Sequence, residues 1–241
     1  MEDWDRVVLA EVDSTNAEAA RRAASGWQGW ILGLRQTQGR GRRGRAWADP
    51  VGNFAATLLM RPEEGPEVAA LRSFAAALAL AEALEGAGVD PADIALKWPN
   101  DVLLQGGKVA GILLESAGRG RALDWLAIGI GVNLANAPES DGAAFAPVSL
   151  RQVTGREVTP EAFLDLLAPA FARWEARFRA EGFAPLRAAW LARAARLGER
   201  IVARTGREEI AGTFSDVDAA GNLVLLTPRG QRAIPAAEVF F

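Results

Sequence analysis

Only two lysines occur in the chain, and both fall within one window of twelve residues that begins at Lys97 and ends at Lys108. All other basic residues are arginines, 25 of the 27. A position that keeps lysine in such a chain suggests a need for a compact, mobile ammonium in place of a planar guanidinium. Asn100 and Asp101 lie between the two lysines. An ammonium, a carboxylate and an amide can together hold phosphate and carboxylate groups, although a composition bias could also have left both lysines by chance.

A glycine- and arginine-rich segment, residues 39–45, supplies further positive charge upstream of the lysines. Its glycines satisfy the G-x-G-x-x-G spacing of dinucleotide-binding proteins, but Pro50 and Gly52 block the helix that a Rossmann turn must open. The sequence does not match the P-loop pattern either, because Val109 follows Lys108 where serine or threonine is needed. The segment is therefore predicted to be a flexible loop that folds over an anionic ligand, and a merely solvated loop is the alternative.

Two glycines, Gly129 and Gly131, interrupt the apolar strand sequence IGIGVNL, which includes Asn133. Glycine weakens packing inside a strand and usually marks close approach by a ligand or by another backbone, while a β-bulge is the alternative. Asp101 and Lys108 leave a similar choice, because a plain ion pair across a surface hairpin would contribute little. None of these motifs identifies a site alone.

Composition restricts the chemistry that this chain can perform. The 241 residues are 50% apolar, enough for a sizeable core in one large domain or in one domain with a small appendage. The chain has no cysteine and no histidine, which excludes disulfides, thiolate metal sites and histidine bases and leaves proton transfer to carboxylates or lysine. A net charge of -3 argues against a dedicated nucleic-acid-binding protein. With no signal-like N-terminus and no apolar run long enough to span a bilayer, the protein is predicted to be cytoplasmic, with no membrane partner.

Hydrophobic patterns predict an α/β domain over residues 1–195. Thr15 and Glu18 are expected to form a capping box, and Gly106 and Gly107 a hairpin turn. Strands are expected at 7–12, 30–36, 53–61, 94–98, 101–105, 108–116 and 125–134, a loop at 135–147, and helices at 15–24, from 66 to 86–88 and twice within 160–195.

The pattern of apolar and polar residues changes after Gly198. Short alternating segments separated by turn residues follow, which is typical of a small β-barrel. A domain boundary is therefore predicted near residue 196, with a second domain over 196–241.

Five segments occur in the order and spacing of the biotin protein ligases, so the chain resembles that family. Each segment is weakly informative alone, but the five together are specific. They are VDSTN at 12–16, QTQGRGRRGRAW at 36–47, KWPNDVLL at 97–104, GGKVAGILLE at 106–115 and IGIGVNL at 128–134. The resemblance extends from residue 7 to about residue 241, because LGERIVA and GTFSDVDAAGNLVL also resemble the C-terminal barrel of that family.

The resemblance implies a mixed β-sheet with flanking helices, as in the catalytic domains of class II aminoacyl-tRNA synthetases, followed by a small Src-homology-3-like β-barrel. It also implies a ligase that uses ATP with Mg²⁺ to convert biotin to biotinyl-5'-AMP. The biotinyl group would then pass to a lysine of a biotin carboxyl carrier protein. The first step joins two anions, so positioning and positive charge would supply most of the acceleration.

By the same resemblance, the biotin site would be built from polar groups near the start of the chain. Ser14, Thr15 and Gln36 would hydrogen-bond the ureido ring, which offers one carbonyl and two N–H groups. Gly39 and Arg40 would meet the carboxylate end of biotin.

The reacting groups would lie around the second lysine. Lys108 would bridge the biotin carboxylate and the α-phosphate, while Arg42 would cover the phosphate and Trp47 would shield the adenylate from water. Asp101 would either orient or deprotonate the incoming carrier lysine or coordinate Mg²⁺, and both roles stay open. The ligands of a metal are otherwise unknown.

Four further positions complete the implied site. Gly111 and Gly129 would allow the backbone to approach biotin, and Asn100 and Asn133 would contact the nucleotide. Gln38 stands where many relatives have a small residue, which leaves the conformation of the loop open.

Two rival functions compete with a biotin protein ligase, one from the same fold and one from another class. A lipoate or octanoyl transfer enzyme of the same fold is the main rival, and the arginine-rich loop and Gln36 argue against it. A non-catalytic nucleic-acid or interaction module is the second, and the acidic net charge and the lack of aromatic clusters in the loop argue against it.

Many bacterial relatives begin with a winged helix-turn-helix domain, whereas the first catalytic strand is expected from residue 7 here, so we expect no specific DNA binding. A homodimer is compatible with the resemblance, but the sequence does not fix the oligomeric state.

Overall fold

A mixed β-sheet forms the centre of the protein, whose computed structural model describes residues 4–120, 122–139 and 145–241. Its strand order is β1-β2-β3-β7-β6-β5-β4, with β1 and β2 parallel and all other neighbouring pairs antiparallel. The strands are β1 (Asp5–Leu9), β2 (Gly29–Gly33), β3 (Phe54–Met60), β4 (Ile94–Lys97), β5 (Asp101–Leu104), β6 (Gly107–Arg119) and β7 (Ala122–Val132).

Helices cover both faces of this sheet. Those in the described residues are α1 (Thr15–Ala23), α2 (Pro66–Ala69), α3 (Arg72–Gly86), α4 (Leu150–Thr154), α5 (Pro160–Glu181) and α6 (Phe183–Leu191). The longest, α5, begins where the Thr159 side chain accepts a hydrogen bond from the backbone N–H of Ala162, with Pro160 at the first helical position. It ends at Gly182, whose positive φ of 74° redirects the chain into α6. None of the helices described is long and apolar enough to cross a membrane.

The two faces of the sheet differ in how much apolar side chain they bury. Successive residues of a strand point to opposite faces. Trp30, Leu58 and Ile128 belong to the main core, which includes α3 and α5. The neighbouring Leu59 packs instead with Ala19 of α1, in a much smaller cluster. The α1 side of the sheet therefore leaves room for polar groups.

A buried ion pair lies inside the helical layer. Arg72 of α3 donates from Nη2 to Oε1 of Glu175 in α5 at 2.8 Å and also lies 3.2 Å from a carboxylate oxygen of Glu64. Its guanidinium carbon is 5.0 Å from the ring centre of Phe178. Burial raises the pKa of Glu175, and the hydrogen bonds from Arg72 oppose that shift. The pair joins the two helices that pack on the sheet.

A second, antiparallel sheet follows α6. Its strands are β8 (Arg200–Arg204), β9 (Glu209–Val217), β10 (Leu223–Thr227), β11 (Gly230–Ile234) and β12 (Glu238–Phe240), in the order β11-β10-β9-β8-β12. It contacts the first part of the chain where the indole N–H of Trp98 donates to the carbonyl of Gly221 at 3.0 Å. The predicted fold class is confirmed: a mixed sheet with flanking helices, followed by a small β domain.

Several predicted boundaries were wrong. β6 continues to Arg119, although its side chains after Leu114 are exposed, because its backbone keeps pairing with β7. The helix expected from residue 66 is divided into α2 and α3, and the short helix α4 was not predicted. Part of the loop expected at 135–147, residues 140–144, lies outside the described residues.

Two predicted local motifs were also wrong in detail. The hairpin turn is made by Gln105 and Gly106, which have φ of 48° and 81°, while Gly107 already belongs to β6. The expected capping box is not formed, because Ser14 is the N-cap residue of α1 and has no side-chain cap hydrogen bond. The carboxylate of Glu18 pairs with arginines of its own helix instead.

Candidate active site

The floor of the candidate site is formed by glycine backbone at the centre of the first sheet. Gly111 of β6 lies opposite Gly131 of β7, and Gly129 lies two residues earlier on the same face. A Cβ atom on Gly131 would lie 2.5 Å from the Trp47 ring, and one on Gly129 would collide with the amide of Asn16. Glycine is needed at these positions because side chains from other segments pack directly on the sheet.

A cavity of about 440 Å³ opens above this floor, a volume suited to a small molecule. Its walls come from the start of α1, the loop between β2 and β3, the strands β5 and β6, and β12 of the second sheet. Of the predicted site residues, Ser14, Thr15, Gln36, Arg40, Arg42, Trp47, Asn100, Asp101, Lys108, Gly111, Gly129 and Asn133 line this cavity. Gly39 does not line the cavity, and a Cβ atom on it would be 2.6 Å from the carbonyl oxygen of Trp47.

Two lysines share one carboxylate at the wall of the cavity. The Lys108 ammonium lies 2.6 Å from Oδ1 of Asp101, and the Lys97 ammonium lies 3.3 Å from Oδ2. The side chain of Asp101 is only 13% exposed, so this is not a plain surface pair. Burial lowers the pKa of Lys97, and the negative charge of Asp101 opposes that shift. With two cations on one anion, the cluster carries an excess of positive charge toward the cavity.

Arg42 adds a third cation to this wall. Its Nη1 donates to Oδ1 of Asn100 at 3.1 Å, and Nδ2 of Asn100 donates to the carbonyl of Ile112 at 2.5 Å. Burial lowers the pKa of the Arg42 guanidinium, while the charge of Asp101 acts in the opposite direction. Asn100, predicted to contact the nucleotide, is thus placed to hold Arg42 in position.

The arginine loop, residues 39–47, is closed on itself and tied to the second sheet. The backbone N–H of Trp47 donates to the carbonyl of Gly39 at 2.9 Å. Arg45 donates from Nη1 and Nη2 to the two carboxylate oxygens of Glu238 at 2.8 and 3.0 Å, and Arg43 approaches the same carboxylate at 3.4 Å. The hydrogen bond from Arg45 is the main cause that lowers the pKa of Glu238. The C-terminal domain therefore helps to hold the loop that covers the cavity.

A hydroxyl and amide cluster lies at the start of α1. The backbone N–H and the hydroxyl of Thr15 both donate to Oε1 of Gln36, at 2.9 and 3.1 Å. Beneath them, the buried hydroxyl of Thr57 lies 2.8 Å from the Thr15 hydroxyl and 2.6 Å from Oδ1 of Asn16. Ser14 is buried beside this cluster. The cluster combines oriented donors and acceptors at one end of the cavity.

Asn133 organises the wall on the other side. Its Nδ2 donates to the carbonyl of Val148 at 3.1 Å and lies 3.5 Å from the carbonyl of Lys108. Nδ2 of Asn53 lies 3.5 Å from Oδ1 of Asn133. These bonds join the segment after β7 to the strand that carries Lys108. The contact of Asn133 with a nucleotide stays a prediction.

The sequence reasoning missed several residues of the cavity wall. Asn16 belongs to the VDSTN segment, so its local sequence could have identified it. Lys97 was noticed but given no role, although it contacts the same carboxylate as Lys108. Glu238 and Phe145 carry no local signal, because only the tertiary fold brings them to the cavity.

The donor set around Asp101 does not resemble a metal site. Each of its oxygens already faces an ammonium group. Among the described residues, no three acidic side chains come together in a way that could hold a metal ion. Asp101 is therefore placed to pair with the ammonium groups of the two lysines and not to ligate a divalent metal.

Comparisons with known proteins agree with this geometry. A model described as the Biotin/lipoate A/B protein ligase family matches residues 9–133, and one described as the Biotin protein ligase C terminal domain matches residues 197–241. The chain is 58% identical over 239 residues to the biotin--[acetyl-CoA-carboxylase] ligase of Paracoccus denitrificans, which covers 97% of this chain and 99% of the relative. It is 33% identical over 228 residues to the ligase of the same name from Mycobacterium tuberculosis, covering 90% of this chain and 82% of the relative.

Among solved structures, the fold is similar to that of the biotin protein ligase from Aquifex aeolicus in complex with biotin and ATP. The TM-score is 0.82 at 26% sequence identity, and the match covers 98% of each chain. Because the first family model matches more than half of the chain and the Paracoccus denitrificans relative matches nearly the whole sequence, the chain belongs to the biotin/lipoate A/B protein ligase family and, within it, to the biotin protein ligases.

Proposed function

We propose that the protein activates biotin with ATP to biotinyl-5'-AMP and then transfers the biotinyl group to a lysine of a biotin carboxyl carrier protein. The observation that carries this proposal is the cluster in which Asp101 contacts both Lys97 and Lys108 beside the buried Arg42. An excess of cations around one carboxylate suits a reaction that brings two anions together.

In the first step, a carboxylate oxygen of biotin attacks the α-phosphorus of ATP, and pyrophosphate leaves with its electron pair. Lys108 is proposed to lie between the two anions, because its ammonium is small, mobile and only partly buried, with 32% of its side chain exposed. Arg42, held by Asn100 at 3.1 Å, is proposed to cover the phosphate. Trp47 would exclude water, since its ring lies over the glycine floor.

The hydroxyl and amide cluster is the proposed ureido site. Ser14, Thr15 and Gln36 would supply the hydrogen bonds, and the orientation of Gln36 is already fixed by its two bonds from Thr15. A site of this kind loses affinity for a ligand that leaves its polar groups unpaired, which is the basis for rejecting lipoate.

In the second step, the carrier amine attacks the acyl carbon, AMP leaves, and the nitrogen gives up a proton. Asp101 is the proposed orienting and proton-accepting group, because it lies 2.6 Å from the Lys108 ammonium at the cavity wall.

No residue of this chain is proposed to hold Mg²⁺. Mg²⁺ usually keeps several waters and binds through carboxylates together with substrate phosphates. Both oxygens of Asp101 face ammonium groups, so the metal is expected to accompany the phosphates of ATP.

The domain division and the location are part of the same proposal. A boundary near residue 196 is supported by the start of the second family match at residue 197 and by the start of β8 at Arg200. The reaction is proposed to take place in the cytoplasm, where ATP is available, with a carboxylase carrier domain as the protein partner.

The test is the exchange of labelled pyrophosphate into ATP, followed by labelling of a biotin carboxyl carrier domain. Exchange should depend on biotin, and the carrier should acquire one biotinyl group on lysine. Lipoate and octanoate serve as control acids and should be rejected by as much as roughly 10⁴ in kcat/KM. Equal exchange with lipoate would overturn the assignment of substrate.

A further inference from the structure

A carboxylate with no role in the steps above lies at the base of the arginine loop. Oδ2 of Asp49 accepts a hydrogen bond from the backbone N–H of Gln36 at 3.0 Å. Gln36 precedes the loop and Asp49 follows it, so this bond joins the two ends of the segment that carries Arg42 and Trp47. Two hydrogen bonds therefore join the two sides of the loop, one between Trp47 and Gly39 and one at its base between Gln36 and Asp49.

The other oxygen of Asp49 is unsatisfied. Oδ1 is buried but has no hydrogen-bond partner within the part of the chain that the structure describes. Burial raises the pKa of Asp49 to about 6, and the hydrogen bonds from Gln36 only partly oppose that shift. A neutral side chain of the same shape would avoid the cost of burying this charge. The carboxylate therefore costs stability at this position, which points to a role other than stabilising the fold.

Charged neighbours do not account for the carboxylate. The charged side chains that line the cleft beside Asp49 are Arg35 and Glu139. Arg35 is directed to Glu11, with Nη1 and Oε2 2.9 Å apart. The partner that Asp49 does contact is Gln36, at the wall of the cavity.

Gln36 is therefore fixed from two directions. Its side-chain Oε1 accepts both hydrogen bonds from Thr15, and its backbone N–H is held by Asp49. With Oε1 directed to Thr15, the remaining polar edge of the amide is its Nε2 donor, and the Gln36 side chain also acts on the Asp49 carboxylate. A shift of the Gln36 backbone would move this donor away from the ligand.

We propose that Asp49 is a positioning residue for the biotin site, whose ionised carboxylate holds Gln36 and the base of the arginine loop in the binding arrangement. The inference rests on the proposed function, since it assigns Gln36 to the ureido ring. An ionised acceptor makes a stronger hydrogen bond than a neutral one. Protonation of Asp49 should therefore weaken biotin binding without removing the catalytic groups.

The first test compares Asp49→Ala and Asp49→Asn with the unchanged protein in the pyrophosphate exchange assay at pH 7.5. Asp49→Ala should raise the KM for biotin about tenfold, the scale for one lost buried hydrogen bond, while the KM for ATP stays within about twofold. Asp49→Asn keeps a neutral acceptor for Gln36 but loses the charge, so its KM for biotin should lie between those of the unchanged protein and Asp49→Ala. Asp93→Ala is the matched control, because Asp93 also accepts from a glutamine, Gln105 at 3.1 Å, but lies outside the cavity.

The second test is the pH dependence. The Asp49 carboxylate is ionised above its pKa of about 6 and becomes protonated below it. The KM of the unchanged protein for biotin should rise by about two to fourfold between pH 7.5 and 5.5, while that of Asp49→Asn should vary less. Asp49→Asn should also unfold at the same or a higher temperature at pH 7.5, because it removes the buried charge.

The outcomes separate this inference from the proposed function. If the unchanged protein shows no biotin-dependent exchange, the proposed function fails. If that protein is active but Asp49→Ala binds biotin normally, or Asp49→Asn keeps the full pH dependence, the role of Asp49 is wrong. A joint rise in both KM values with a lower unfolding temperature would indicate a purely structural residue. Should Asp49→Ala not fold, the pH profile of Asp49→Asn decides.

Discussion

Two charge clusters in this protein use the same kinds of side chain in opposite ways. Between α3 and α5, Arg72 and Glu175 are sealed from water, with 2% and 3% of their side chains exposed, and the cation is matched by carboxylates. In the cavity, Asp101 is shared by Lys97 and Lys108, so one anion serves two cations. The first cluster pairs its cation with carboxylates of the protein, although Nη1 of Arg72 has no hydrogen-bond partner among the described residues, whereas the second has an excess of cations that suits an anionic ligand.

The difference predicts which property, stability or activity, a substitution in each cluster should change. A buried pair contributes little net stability over an apolar pair, but removing one partner leaves an uncompensated charge. A cluster with excess charge beside a cavity costs some stability and contributes to binding and to the transition state instead. Variants should therefore divide into those that unfold the protein and those that leave it folded and inactive.

The largest effect is expected from breaking the sealed pair. Arg72→Met leaves Glu175 buried without its cation, which should lower the free energy of unfolding by about 3–5 kcal/mol. Chemical denaturation measures this loss, and exchange activity per folded molecule should remain normal. The double variant Arg72→Met/Glu175→Leu should recover most of the stability. If the free energy of unfolding of Arg72→Met lies within about 1 kcal/mol of that of the unchanged protein, the predicted difference between the two clusters is wrong.

The next effect concerns the open cluster. Lys108→Arg keeps the charge but replaces a mobile ammonium with a planar group, so the rate of adenylate formation should fall by about 10² or more. The free energy of unfolding should hardly change. Lys97→Arg is the matched comparison, because Lys97 touches the same carboxylate from a more buried position, with 7% of its side chain exposed. Near-normal turnover in Lys108→Arg together with an inactive Lys97→Arg would reverse the assignment of the two lysines.

The smallest effect is expected at the bridge between the domains. Glu238→Gln removes the negative partner of Arg45, whose side chain is 67% exposed, so the loss is expected to be at most about 1 kcal/mol. The KM for the substrates should rise less than about fivefold, and the difference should shrink in high salt. Glu208→Gln, which breaks an exposed pair with Arg232 on the same domain, provides the control. A loss as large as that of Lys108→Arg would show that the bridge is part of the reaction.

The contact between Asp101 and Lys108 could be anticipated from the sequence, because a two-residue turn joins their strands. The close packing on Gly129 could be anticipated as well, since glycine inside an apolar strand has few other uses. Asp49 and Glu238 could not, because each meets its partner only after distant segments fold together. Their own neighbours in the sequence look like ordinary loop or strand residues.

The errors in local structure have a related cause. Thr15 had the right spacing to Glu18 for a capping box, but tertiary hydrogen bonds direct its hydroxyl to Gln36 and Thr57. β6 runs past its alternating sequence because the paired backbone of β7 extends it. In both cases a contact from another element outweighed the local preference.

The glycine floor limits how the site can change. A mutation at Gly111, Gly129 or Gly131 can only add atoms, because glycine has no side chain to lose. The cavity can therefore become shallower at its base but never deeper, and its depth is set by the path of the main chain. A variant meant to accept a bulkier acid has to gain space from the walls, for example at Trp47 or Asn16, both of which border the cavity.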